Sequence, residues 1–136
     1  GKMSSDINLE KFELANKWIR LQNKGISIPQ HLRTRGIKKI VLYGASEFAL
    51  RLLEQCENEA GIIEILGISD KKISSKGDFY CGIPLVSIRD IKKIESEDMC
   101  VVITAMGYYE EILGELHKEG VLRTISLQEL IYDACC

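Results

Sequence analysis

The 136-residue sequence predicts an α/β fold: a doubly wound, mainly parallel sheet of about five strands, preceded by an N-terminal helical arm. Three observations carry this prediction. Short β-rich apolar runs begin near residues 37, 62, 99 and 124, as strands buried on both faces do. Segments of helical period separate them, and turn formers close most of the runs.

The elements follow in order. Ser5 or Asp6 can cap a first helix running to about Lys24, with Leu9, Phe12, Trp18 and Leu21 as its apolar stripe and Gly25 as its stop. Pro29 suits the first turn of a second, short helix ending near Gly36. Residues 1–36 therefore form the arm and residues 37–136 the sheet domain. Ile37, Ile40, Val41, Leu42 and Tyr43 give the first strand, closed by Gly44; residues 46–57 return to helical spacing, and residues 62–68 form a second strand closing on Ser69 and Asp70. Together these make one βαβ unit. Residues 71–82 are polar and Gly-containing, a loop, and residues 83–86 a short strand that Pro84 assigns to an edge. Ser87 with Asp90 forms a capping box for a helix to about Ile94. Residues 99–104 are the next buried strand, residues 108–119 the next helix with Gly120 as its stop, and residues 124–126 the last strand. Ser126 with Glu129 forms another capping box, for a terminal helix.

Composition narrows the class. No stretch approaches the roughly 18 consecutive apolar residues of a membrane helix, and no signal segment opens the sequence, so a cytoplasmic location is expected. Cys56, Cys81, Cys100, Cys135 and Cys136 show no C-x-x-C or paired-His spacing, which argues against a disulfide framework and a metal site. The net charge of −2 conceals an asymmetry: residues 1–39 carry nine Lys or Arg against three Asp or Glu, and the remainder is acidic. Arg33, Arg35, Lys38 and Lys39 either meet an acidic partner or form a solvated face. Without interleaved aromatics they mark no nucleic-acid groove.

In such a sheet the ligand crevice lies outside the carboxyl ends of the strands, where the winding reverses. The turn Gly44-Ala45-Ser46-Glu47 after the first strand occupies the place of a phosphate-binding loop at a helix N-terminus, although of the glycines in a dinucleotide fingerprint only Gly44 is present. The alternative is a tight turn. Asp70 stands where an acidic residue takes ribose hydroxyls, or it caps the following loop. Thr104, Met106, Gly107, Tyr108 and Tyr109 follow the strand opposite and offer a hydroxyl, a permissive Gly and aromatic faces. Glu47 with Glu110 or Glu111 could pair as acid and base, but such residues are usually solvated carboxylates at a helix start. His31 and His117 are expected far from that edge, and no catalytic residue is assigned.

The segments Lys39-Ile40-Val41-Leu42-Tyr43-Gly44-Ala45-Ser46, Leu66-Gly67-Ile68-Ser69-Asp70, Gly82-Ile83-Pro84-Leu85-Val86, Val101-Val102-Ile103-Thr104-Ala105 and Ile125-Ser126-Leu127-Gln128-Glu129-Leu130 resemble a family of small Rossmann-like domains. These accompany bacterial surface-polysaccharide biosynthesis, as in the N-terminal domains of sugar-nucleotide dehydratases and epimerases and of sugar acyltransferases. The resemblance implies a binding module for a nucleotide or nucleotide-sugar, NAD-like or UDP-sugar-like, with no activity of its own. Gly44, Ala45 and Ser46 would line a phosphate and Asp70 a ribose. A homodimer or a polysaccharide-assembly transferase is the implied partner. The alternatives are a subunit of an NAD-dependent sugar-nucleotide oxidoreductase or epimerase, and a ligand-free interaction domain for a glycosyltransferase. The first needs a proton relay that this sequence lacks.

Overall fold

A computed structural model describes residues 4–71 and 78–135. Residues 72–77, half of the loop expected at 71–82, lie outside the described residues together with Cys136, and residues 79 and 80 of that loop form a short strand. The chain runs α1 (Ser4–Asn23), α2 (Ile28–Thr34), β1 (Lys39–Tyr43), α3 (Glu47–Asn58), β2 (Glu64–Ser69), β3 (Phe79–Tyr80), β4 (Ile83–Pro84), α4 (Ile88–Ile94), β5 (Met99–Ile103), α5 (Tyr109–Lys118), β6 (Thr124–Ser126) and α6 (Leu127–Ala134).

Four strands form one parallel sheet in the order β2-β1-β5-β6. The chain builds outward from β1 to β2 on one side, then returns to place β5 on the other. The reversal therefore falls between β1 and β5, whose residues pair from Lys39 with Met99 to Tyr43 with Ile103. Alternation of side chains along these strands divides the core in two. Ile40, Leu42, Cys100, Val102 and Ile125 face α1, α2, α3 and α6, packing with Leu14, Trp18, Leu32, Leu52 and Leu130. Val41, Tyr43, Met99, Val101 and Ile103 face α4 and α5, packing with Ile91, Ile112 and Leu116. Every residue of β5 is buried, which is why its sequence shows no polar alternation.

The expected fifth strand is shorter than anticipated. Residues 83 and 84 pair antiparallel with Phe79 and Tyr80 in a two-stranded ribbon, and beside β2 the segment makes only an isolated parallel bridge between Leu85 and Ile68. Pro84 has no N–H to give a ladder, and the Val86 amide donates to the Ile68 carbonyl at 2.9 Å just before Ser87 starts α4. Gly67 admits this approach: a Cβ there would lie 2.8 Å from Val86 Cγ1.

The arm also differs in detail. The helix includes both Ser5 and Asp6, so neither is its cap, and Asp6 lies in the first turn. The stripe that packs on the sheet is Leu14, Trp18 and Leu21, whereas Leu9 and Phe12 are exposed. Ser27 caps α2 by accepting from the Gln30 amide, and Pro29 occupies the first turn. Gln55 Oε1, buried in α3, accepts from the Ile28 amide at 3.2 Å. At the other end of α2, His31 Nε2 and Arg35 Nη1 meet Asp133 of α6 at 2.9 and 3.1 Å. Both expected capping residues after the arm are present. Ser87 and Asp90 form a complete box, whereas of the box expected at α6 the Ser126 half is seen, its Oγ accepting from the Glu129 amide at 3.0 Å.

Candidate functional site

The carboxyl ends of β1, β2 and β5 bring Gly44, Ala45, Asp70 and Thr104 together. The Ala45 amide donates to Asp70 Oδ2 at 2.6 Å, so the carboxylate from the end of β2 already occupies one of the N–H groups that an anion would use. Thr104, 1 % exposed, directs its hydroxyl to the carbonyls of Gly44 at 2.8 Å and Tyr43 at 3.1 Å. Gly44 has φ +112°, and a Cβ on it would lie 2.8 Å from both the Ala105 amide nitrogen and Thr104 Oγ1. Only glycine fits there. The two turns at the winding reversal are thus sewn to each other.

Ser46 starts α3 without a side-chain cap bond, and its Oγ is buried with no hydrogen-bond partner. Glu47 points outward, its side chain 83 % exposed and 3.7 Å from Arg51. Neither residue reaches the open space at this edge.

That space lies one strand further along. A cavity of about 630 Å³ opens beyond the ends of β5 and β6. Thr104, Met106, Gly107, Tyr108 and Tyr109 line it, all five expected from the sequence, with Glu110 and Glu111 at the start of α5. The first turn of α6 adds Gln128 and Glu129, the second adds Tyr132, and α1 closes the side with Glu10 and Leu14. Gly44, Ala45, Ser46, Glu47 and Asp70 lie outside its lining. Gly107 lets α1 seat over it: with φ +96°, its missing Cβ would stand 3.1 Å from Ile7 Cδ1.

The cavity's lining is acidic, with two lysines at its margin: Lys71 Nζ is 4.0 Å from Glu111 and Lys17 Nζ is 4.9 Å from the centre of the Tyr132 ring. Glu10, Glu110, Glu111 and Glu129 contribute carboxylates, Ser126 and Gln128 contribute neutral polar groups, and no Lys, Arg or His belongs to the lining. Glu110 and Glu129 sit in the first turns of α5 and α6, where the helix dipole favours them. Burial first, and then Glu129 and Glu110, hold the Tyr109 phenol above its ordinary range, so it is a proton-bearing donor rather than a base. Glu110 and Glu111 line the cavity and Glu47 does not. His31 is tied to Asp133, away from the cavity. No cluster among the described residues has the makeup of a metal site.

The contributions of α1 and α6 were not expected from the sequence. One signal was available: the capping pair Ser126 and Glu129 marks a helix start at a strand's carboxyl end, beside Thr104.

Residues 36–124 match the family model described as C2185-like, N-terminal. The chain belongs to the C2185-like N-terminal family. The matched span runs from the end of the arm to the start of β6, so it contains the sewn turns at Gly44, Asp70 and Thr104. The C2185-like core supplies the Met106 to Glu111 wall of the cavity, and the walls from α1 and α6 come from chain outside the matched residues. No curated protein and no solved structure matches the chain.

Proposed function

We propose that this C2185-like chain is a Rossmann-like binding domain that takes a nucleotide or nucleotide-sugar by its uncharged, polyhydroxylated part. The observation that carries the reading is the cavity beyond β5 and β6, whose lining holds four glutamates and three tyrosines, with Lys71 reaching Glu111 at 4.0 Å and Lys17 lying over the Tyr132 ring from outside the lining. Carboxylate and amide oxygens accept hydrogen bonds from sugar hydroxyls, and aromatic faces cover the apolar face of a sugar or base. A phosphate would meet four glutamates there, so the phosphates of such a ligand stay outside, toward solvent. The parallel sheet with helices on both faces supports the Rossmann-like winding, and the sequence resemblance supports a place in bacterial capsular or exopolysaccharide assembly. The reading includes no catalytic step.

Calorimetric titration with UDP-sugars, NAD and the corresponding free sugars tests the proposal. Binding of a UDP-sugar or NAD is expected, with Tyr108→Ala weakening it roughly tenfold, the loss of one aromatic stacking face. Glu129→Gln is expected to weaken it further in combination. Absence of heat with every ligand would overturn the proposal. It would favour an interaction domain, a reading to which the Asp70–Ala45 bond and the Thr104 bridge lend support by filling the crevice at the winding reversal.

A further inference from the structure

The arm helix carries two apolar faces. Leu14, Trp18 and Leu21 are buried against the sheet, but Leu9, Phe12 and Ile19 are 57, 67 and 56 % exposed. Single exposed apolar residues are ordinary on a protein surface. These are not scattered: with Asn16 and Asn23 they occupy positions 9, 12, 16, 19 and 23, alternating steps of three and four that draw one straight seam along the helix. The seam lies opposite the buried stripe. Asn16 and Asn23 are both exposed on it, and asparagine within an apolar seam is the residue that fixes the mode of helix pairing at some cost in stability.

Charge names the occupant. Among its exposed charges the first half of α1 carries Asp6 and Glu13 against Lys11 alone, whereas the second half and the turn after it carry Arg20 and Lys24 with no acid; Glu10 and Lys17 face the chain's own cavity and Tyr132. A second copy of α1 laid antiparallel along the seam sets each acidic half on the other's basic half, twice over, as a twofold axis requires. A parallel copy sets acid on acid and base on base. We infer that α1 is a homodimerisation helix, pairing through Leu9, Phe12 and Ile19 with the antiparallel α1 of a second copy of this chain.

Sedimentation equilibrium of the whole chain tests this. A dimer is expected, and Phe12→Ser with Ile19→Ser is expected to convert it to a monomer that keeps the wild-type circular dichroism. Asp6→Lys with Glu13→Lys leaves both ends of the exposed face basic, and Arg20→Glu with Lys24→Glu leaves both acidic; each is expected to weaken self-association roughly tenfold or more. Mixing the two charge variants is expected to restore a dimer containing one of each. A wild-type chain that stays monomeric at millimolar concentration would overturn the inference. So would a dimer indifferent to the loss of Phe12 and Ile19. Charge variants that associate as tightly as wild type would overturn the antiparallel arrangement.

Discussion

At the scale of single residues, the carboxyl edge depends on side chains that hold backbone groups. Asp70 accepts from the Ala45 amide, and Thr104 holds the carbonyls of Tyr43 and Gly44. A half-buried N–H that loses a charged acceptor regains only part of its hydration. Asp70→Ala is therefore expected to cost about 1–2 kcal/mol of stability, with Asp70→Asn costing less because an amide oxygen can still accept. Urea denaturation checks both, and an unchanged midpoint for Asp70→Ala would show that the bond contributes nothing. The importance of Gly44 and Asp70 was legible in the sequence, because a glycine and an acid at the ends of adjacent apolar runs stand out by position. Their use of each other was not legible. It depends on a distance across two strands, which no spacing along one chain encodes.

At the scale of elements, the buried strands and helix starts were the most readable features. Residues 99–103 have no polar member, and Ser87 with Asp90 could serve little else than a helix start. The stripe expected on α1 differs from the buried one because two apolar faces share one helix: counting Leu9, Phe12, Trp18 and Leu21 together merges the sheet-facing set with the outward seam. The segment at 83–86 was also read as a fuller strand than it is. Its β-branched residues favour extension, but the proline and the immediate start of α4 leave it one bridge on β2. Gly67 is the residue that allows even this contact. Gly67→Ala would drive a methyl group to within 2.8 Å of Val86 Cγ1 and is expected to destabilise the domain by about 1–3 kcal/mol through overpacking. Thermal melting checks this, and Val86→Ala in the same chain is expected to recover much of the loss by making room.

At the scale of the whole molecule, both faces of the sheet are covered, and burial makes several ionisable groups of the core harder to charge. Burial pushes the thiols of Cys56 and Cys100 up to about 12, with Glu59 and Glu57 adding to the shift at Cys56 and Arg35 opposing it at Cys100. Tyr43 is also raised, by burial first and then by Glu115. In the unfolded chain these thiols lose their protons near pH 8.5. Above that pH the unfolded state binds fewer protons than the folded one, so stability falls as pH rises. Their contribution is complete below about pH 8.5 and drains away toward about pH 12. Urea midpoints measured from neutral pH upward are expected to decline, and to decline less steeply in Cys56→Ala with Cys100→Ala; equal slopes would assign the decline to other groups. The order of the strands has a further consequence, for a chain emerging from the ribosome. β1 can zip to β2 as soon as Ser69 is out, but its other edge must wait for Met99 to Ile103, and β6 waits longer still. Until then β1 shows an unpaired edge of five largely apolar residues to every other nascent chain nearby. α3, synthesised between β1 and β2, can shield one face of that early pair, but nothing made so far can shield the edge. Slowing translation between Asp70 and Met99 should therefore raise the insoluble fraction, whereas slowing it before Lys39 should not.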